Sequence, residues 1–282
     1  MTVVAERQRE YVFDLPVGLA DEDGEVHRRA TIRKMRGHEE ALLYDRALGP
    51  GELVSHIIAG TLLRLGSLEE PGPEAVDRMY SADRNYLLLQ IRRVTLGDEM
   101  TARYTCPACA ADVPLIERLD EIPVRSLGTG EDAESIHVEL EDGYTDRAGT
   151  EHRAVTLRLP RGEDEQFVSP SLERDSMKAA DALTLRCIRE FGTLPPTEVQ
   201  AYGLRILREL SFGDRLRIQR ALNDDAPGAR LRRTIHCTGC GTRFERLLDV
   251  TDFFVPSWAE DTASGRRSST WPTTSTGPGA RS

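Results

Sequence analysis

Four of the chain's five cysteines fall in two Cys-x-x-Cys pairs, Cys106-Pro107-Ala108-Cys109 and Cys237-Thr238-Gly239-Cys240, with 131 positions between equivalent cysteines. Two residues between cysteines at a tight turn let both sulfurs reach one ion, and zinc takes four soft ligands in a tetrahedron. The two knuckles together make a complete four-thiolate site, with Cys106, Cys109, Cys237 and Cys240 as ligands of one zinc ion per chain. No position stays open for water or substrate, so the expected role is structural, not catalytic.

Other cysteine chemistry predicts other surroundings. A redox Cys-x-x-Cys sits at a helix N-terminus after a buried strand. Here strand-like runs lead into each pair (residues 102–105 and 233–236) and out of it (112–116 and 243–247), the pattern of a hairpin. Disulfides need an oxidising compartment, and the sequence shows no secretion signal. Redox chemistry, an iron–sulfur centre and a vestigial site stay as alternatives. His236 abuts Cys237 and could replace a thiolate, although four cysteines make that unnecessary. Cys187 lies in a helical pattern and reads as a small core residue.

The spacing of the knuckles points to an internal repeat. Shifting the sequence by 125 positions aligns residues 13–40 with 138–165 without a gap, and 11 of 28 pairs are identical, among them Gly18/Gly143, Asp21/Asp146, His27/His152, Arg33/Arg158 and Gly37/Gly162. Chance would give about two. Farther on, a shift of 131 aligns Asp83-Arg84 with Asp214-Arg215 and superposes both knuckles. Each half opens with a strand, an Asp-x-x-Gly turn and a second strand, a hairpin signal. Helical spacing follows over 51–65 and 176–191. The breaks at Pro71-Gly72-Pro73 and Pro195-Pro196 then start a further helix. That helix is expected to run over about 74–94 in the first half and to divide near Ser211-Phe212-Gly213 in the second.

The expected organisation is therefore α+β, a tandem duplication of a strand hairpin, helices and a knuckle hairpin, with a zinc-ribbon-like site joining halves related by a pseudo-twofold axis. Residues 1–10 are expected to be flexible, 11–125 the first repeat, 126–135 a linker, 136–256 the second repeat and 257–282 a disordered tail. Residues 223–228 read as a surface loop.

Composition narrows function. The formal charge of −10 argues against broad binding to phosphate backbones. No apolar run approaches the roughly 20 residues of a membrane span, so a soluble, cytoplasmic protein without a membrane partner is expected. The recurrent Asp83-Arg84 and Asp214-Arg215 read as ion pairs or contacts to the other half, and His27 and His152 as polar contacts on a sheet face. There is no Gly-rich phosphate loop, Gly-x-Ser-x-Gly elbow or His-Glu-x-x-His motif, and nothing assembles a nucleophile with a base. An enzyme is not expected.

The run from Val26-His27-Arg28-Arg29-Ala30-Thr31-Ile32-Arg33 to Gly37-His38-Glu39-Glu40 carries a family resemblance. So do Ala82-Asp83-Arg84-Asn85-Tyr86-Leu87-Leu88-Leu89, Val94-Thr95-Leu96-Gly97-Asp98-Glu99 and Tyr104-Thr105-Cys106-Pro107-Ala108-Cys109. In that order these resemble the T4-like bacteriophage baseplate proteins of contractile phage tails and related injection systems. The resemblance covers residues 26–120 and, through the repeat, 152–250 more loosely. It implies a component or assembly factor of the baseplate hub, cytoplasmic or carried in or on a tail particle, with other tail proteins as partners. One departure is Ala110 after the second cysteine of the first knuckle, where the second knuckle has Gly241. A different reading, a zinc-ribbon nucleic-acid binder, draws on Arg232, Arg233, Arg243, Phe244 and Arg246 around the second knuckle, set against Asp112 and Glu117 in the first.

Overall fold

The computed structural model describes residues 10–248 except 22, 46, 173 and 174, together with 253 and 254. Most of the expected flexible start and the whole of the expected tail lie outside the described residues. The first series of elements is β1 (Tyr11–Ala20), β2 (Val26–Ile32), α1 (Gly37–Leu42), α2 (Pro50–Thr61), β3 (Leu62–Leu65), β4 (Leu68–Glu69), α3 (Pro73–Arg78), α4 (Ser81–Leu96), β5 (Glu99–Thr105) and β6 (Asp112–Arg118). A short β7 (Val124–Arg125) precedes the second series: β8 (Ile136–Thr145), β9 (Glu151–Leu157), α5 (Gly162–Leu172), α6 (Ser176–Cys187), β10 (Ile188–Phe191), α7 (Pro196–Glu209), α8 (Phe212–Leu222), β11 (Gly228–Ala229), β12 (Arg232–His236) and β13 (Arg243–Leu247). The sheets are antiparallel, ordered β1-β2-β3-β4 and β8-β9-β10, with two-stranded β5-β6, β7-β11 and β12-β13. The class is α+β, as expected.

Three local expectations are corrected. The helical patterns over 51–65 and 176–191 end early, because Leu62–Leu65 and Ile188–Phe191 pair with β2 and β9 as strands. Short apolar runs carry both periodicities, and here an open sheet edge decides. The helix expected over 74–94 breaks after Arg78, where the second series crosses it. Gly162 N–H donates to Met79 C=O at 3.0 Å, and Ser81 N–H donates to Pro160 C=O at 2.8 Å. The loop 223–228 is only partly at the surface: Ala226, Pro227 and Gly228 are buried, and Gly228 lies against Ala82. The expected division of the later helix, into α7 and α8, is observed.

The two series make the same internal bonds at matching positions. Arg33 N–H reaches Thr61 C=O at 2.9 Å, and Arg158 N–H reaches Cys187 C=O at 2.8 Å. Arg84 Nη1 donates to Val76 C=O as Arg215 Nη1 donates to Leu207 C=O. His27 and His152 are buried, each with Nε2 on the turn aspartate, Asp21 at 2.9 Å and Asp146 at 3.2 Å. Gly66 and Gly192 close over these rings at φ 57° and 52°, and a Cβ on Gly66 would lie 2.3 Å from His27 Nδ1. No side chain fits there.

Asp83 and Asp214, expected in ion pairs or contacts to the other half, each fill a bulge in the long hairpin of their own series, and Asp214 also lies 3.2 Å from Arg217 Nη1. Asp83 accepts from Val17 and Gly18 N–H at 2.8 and 2.7 Å. Asp214 accepts from Glu141, Asp142 and Gly143 N–H at 2.7, 3.0 and 2.9 Å. Burial pushes the Asp83 carboxyl up to about 7 despite its two amides. Burial opposes Asp214 too, but three amides and Arg217 hold it below the usual carboxylate range. Between its ordinary value of about 4 and about 7, native Asp83 keeps a proton that the unfolded chain has lost, so raising pH through that window costs stability. Asp214 works the other way: the stability it adds is lost as pH falls through the carboxylate range. Asp83→Asn leaves one amide facing an NH2 group, costing about 1–3 kcal/mol. Urea unfolding across that window should show a smaller fall of stability with rising pH in Asp83→Asn than in wild type. An unchanged slope would contradict the assignment.

The series meet at α5, which packs on α2, α3 and α4. Arg84, fully buried, is the centre of this contact. Its Nη1 donates to Ser55 Oγ at 2.9 Å and its Nη2 to Gly51 C=O at 3.2 Å, while Asp77 and Glu165 carboxylates lie 3.3 and 3.4 Å away. Gly162 sits against the guanidinium so closely that a Cβ would be 2.3 Å from Nη1. In the linker, Glu134 accepts from Tyr80 and Arg189 and, at 2.7 Å, from Arg161, whose guanidinium also covers the Tyr80 ring. Among the described residues α1 makes no comparable packing on α6, α7 or α8, so the helical contact is not twofold. The main core runs from Leu15, Ile32 and Leu87 through Tyr104 and Val113 to Ile235 and Phe244 of the second knuckle hairpin. A smaller one, with Leu140, Leu157, Cys187 and Phe191, serves the second series.

Candidate metal centre

The hairpins β5-β6 and β12-β13 end in turns of the same build. Cys106 N–H donates to Ala111 C=O and Ala110 N–H to Cys106 C=O; Cys237 N–H donates to Thr242 C=O and Gly241 N–H to Cys237 C=O, all at 2.9 Å. The residue after each second cysteine turns to positive φ, 56° at Ala110 and 74° at Gly241. The alanine costs about 1 kcal/mol relative to glycine there, the strain its sequence position suggests.

Because both hairpins are rooted in one core, the knuckles face each other. Cys106 Sγ lies 3.7 Å from Cys240 Sγ and Cys109 Sγ 3.6 Å from Cys237 Sγ, and all four sulfurs lie within 4.8 Å of one another. Sulfurs held at about 2.3 Å around a tetrahedral ion stand about 3.8 Å apart, so the four residues fit such an ion. The separations far exceed a disulfide bond of about 2 Å. Cys106 and Cys237 are buried, while Cys109 and Cys240 are at the surface. Thr242, with its hydroxyl 3.2 Å from Cys240 Sγ and its amide also bonded there, holds the Cys240 thiol down at about 6 with help from Cys109. Cys109 has the Ala111 amide in its favour, yet its bonds to Cys240 and Cys237 push it up to about 12. Like charges this close oppose one another's ionisation unless a cation lies among them.

A second bond joins the hairpins. Glu117 accepts from Tyr104 Oη at 2.8 Å on its own hairpin and from Arg233 Nε at 3.0 Å on the other. Neither this bridge nor Thr242 could be picked out from the sequence, because 116 positions separate Glu117 from Arg233 and no short pattern marks them. His236 is exposed, in register with Arg243, and stands outside the sulfur cluster. Cys187 is fully buried, and burial pushes its thiol up to about 12, as a core residue requires. Asp21, Glu25 and His27 also offer three close ligand atoms. Asp21 is committed to the turn amides of Asp23 and Glu25, and Thr150 stands in Glu25's place in the second series, so this group belongs to the turn.

The basic residues around the second knuckle are largely engaged. Arg233 is on Glu117, Arg232 lies 3.1 Å from Asp224 and 3.7 Å from Glu245, and Arg246 covers the Phe244 ring. Among the described residues no helix is long and apolar enough to cross a membrane. No curated protein and no solved structure matches the chain. The family model described as T4 bacteriophage base plate protein matches residues 68–255, a span holding both knuckles and both Asp-Arg pairs, and the chain belongs to that family.

Proposed function

We propose that this chain is a non-enzymatic structural or assembly component of a phage-type contractile tail baseplate or injection system, acting through contacts with other baseplate, hub or tail proteins. The observation that carries this reading is the family match, which extends across both knuckles. It works in the cytoplasm, in or transiently bound to a tail particle. Cys106, Cys109, Cys237 and Cys240 hold one structural zinc ion per chain, which ties the end of residues 11–125 to the end of residues 136–256. Four sulfur donors with no open position suit zinc in a closed site. The two segments are copies of one unit, joined by 126–135; matched bonds at Thr61 and Cys187, Val76 and Leu207, Asp83 and Asp214 support that history.

Nucleic-acid binding is the weaker reading, since two of the four arginines that suggested it, Arg232 and Arg233, are paired with Asp224, Glu245 and Glu117, and Arg246 lies over the Phe244 ring. The test is deletion of the gene in its host followed by electron microscopy of the tails. Particles lacking a complete baseplate, restored by the gene in trans, are expected. Normal tails in normal number would contradict the proposal.

A further inference from the structure

The contact between the two series uses two different faces. The first series offers the ends of α2, α3 and α4, with Gly51, Ser55, Asp77, Ser81 and Arg84. The second offers α5, with Gly162, Glu165 and Gln166. Gln166 lies across Gly51 and donates to Asp77 at 2.7 Å; Glu165 faces Arg84. Because the contact is not reciprocated, each series keeps one face that its counterpart uses. On the first series the counterpart of α5 is α1, and Gly37, Glu40 and Ala41, which match Gly162, Glu165 and Gln166, are all exposed. Tyr44, one turn further, is 68 % exposed. On the second series the counterparts of Gly51, Asp77 and Ser81 are Met177, Arg208 and Phe212, which are 70 %, 61 % (side chain) and 76 % exposed.

These bare faces complement each other. α1 carries Glu39 and Glu40, of which Glu40 is exposed, and the opposite face carries two arginines to one carboxylate, Arg208 and Arg215 at 4.0 and 2.5 Å from Asp181. Met177 and Phe212 are large apolar side chains standing in water where the first series has a glycine and a serine covered by α5. The backbone is also ready. Among the described residues, the amides of Gly37 and Phe212 have no partner, whereas the matching Gly162 and Ser81 amides close the internal contact.

We infer that α1 of one copy of this chain docks on the α6, α7 and α8 face of a second copy, repeating between chains the contact that α5 makes within one. The choice of faces rests on the duplication reading; the contact itself does not need the metal. An interface of this kind is heterologous, so successive copies add head to tail and form a ring if the rotation closes. Glu40 would meet Arg208 and Arg215, Ala41 would rest on Met177, and Tyr44 would cover the apolar edge.

Sedimentation velocity of the full chain across a wide concentration range tests this with three samples. Wild type should self-associate beyond a dimer or into one closed ring. Ala41→Arg, on α1, and Met177→Asp, on the opposite face, should each be monomeric alone, with unchanged circular dichroism and metal content. Mixed, they should form a one-to-one pair, because each keeps the face the other lacks. A wild type that stays monomeric would overturn the inference, as would variants that associate like wild type or a mixture that stays monomeric. Those results would leave the metal centre and the family role standing, since neither depends on self-association.

Discussion

Cys237→Ser is expected to release the metal and lower the unfolding midpoint of the main core, not just fray one hairpin. The second knuckle hairpin contributes Leu231, Ile235 and Phe244 to the core built on Leu15, Ile32 and Leu87. A clip between positions 131 apart removes much chain freedom from the unfolded state. Binding of structural zinc is coupled to folding, and on that basis the loss should be about 3 kcal/mol or more. Thermal unfolding with and without a chelator reads it directly. Wild type should lose stability when chelator is added, and Cys237→Ser should start lower and show no response. Cys187→Ser separates ligand from core, because it buries a hydroxyl at a cost of about 1–3 kcal/mol while keeping the chelator response.

Arg84→Ala should be nearly as damaging, although no ligand is involved. The guanidinium is fully buried where α4 meets α2, α3 and α5, and its removal strands the Asp77 and Glu165 carboxylates and opens a cavity beside Gly162. Breaking a buried charge pair from one side costs about 3–5 kcal/mol. Lysine is a poor replacement, since a single ammonium cannot span Ser55 Oγ, Val76 C=O and Gly51 C=O as the planar fork does. The matching Arg215→Ala should cost clearly less, because that side chain keeps 22 % exposure and, among the described residues, meets a single carboxylate, Asp181. Denaturant midpoints of the two variants should rank in that order. Equal losses would mean that the Arg84 site does not hold the two series together.

The sequence was most readable where chemistry is local. Cys-x-x-Cys pairs between strand-like runs and Asp-x-x-Gly turns sit within a few residues of the turns they build. It was least readable where a distant partner decides. Leu62–Leu65 and Ile188–Phe191 satisfy a helical pattern, yet the free edges of β2 and β9 draw them into strands. At the break between α3 and α4 the backbone is bonded to Pro160 and Gly162, 79 and more positions away, partners no local pattern marks. Asp83 looks like half of an ion pair in sequence, but its oxygens are spent on Val17 and Gly18 amides. The twofold arrangement expected from the repeat does not extend to the helical contact, since α5 is docked and α1 is bare.

The most direct measurement is metal content and sulfur coordination on the full chain purified without added zinc, by elemental analysis and X-ray absorption. One zinc per chain with a four-sulfur shell is expected, absent from both Cys106→Ser and Cys237→Ser. No metal, two ions per chain, or loss confined to one of the two variants would contradict a single ion shared between the knuckles.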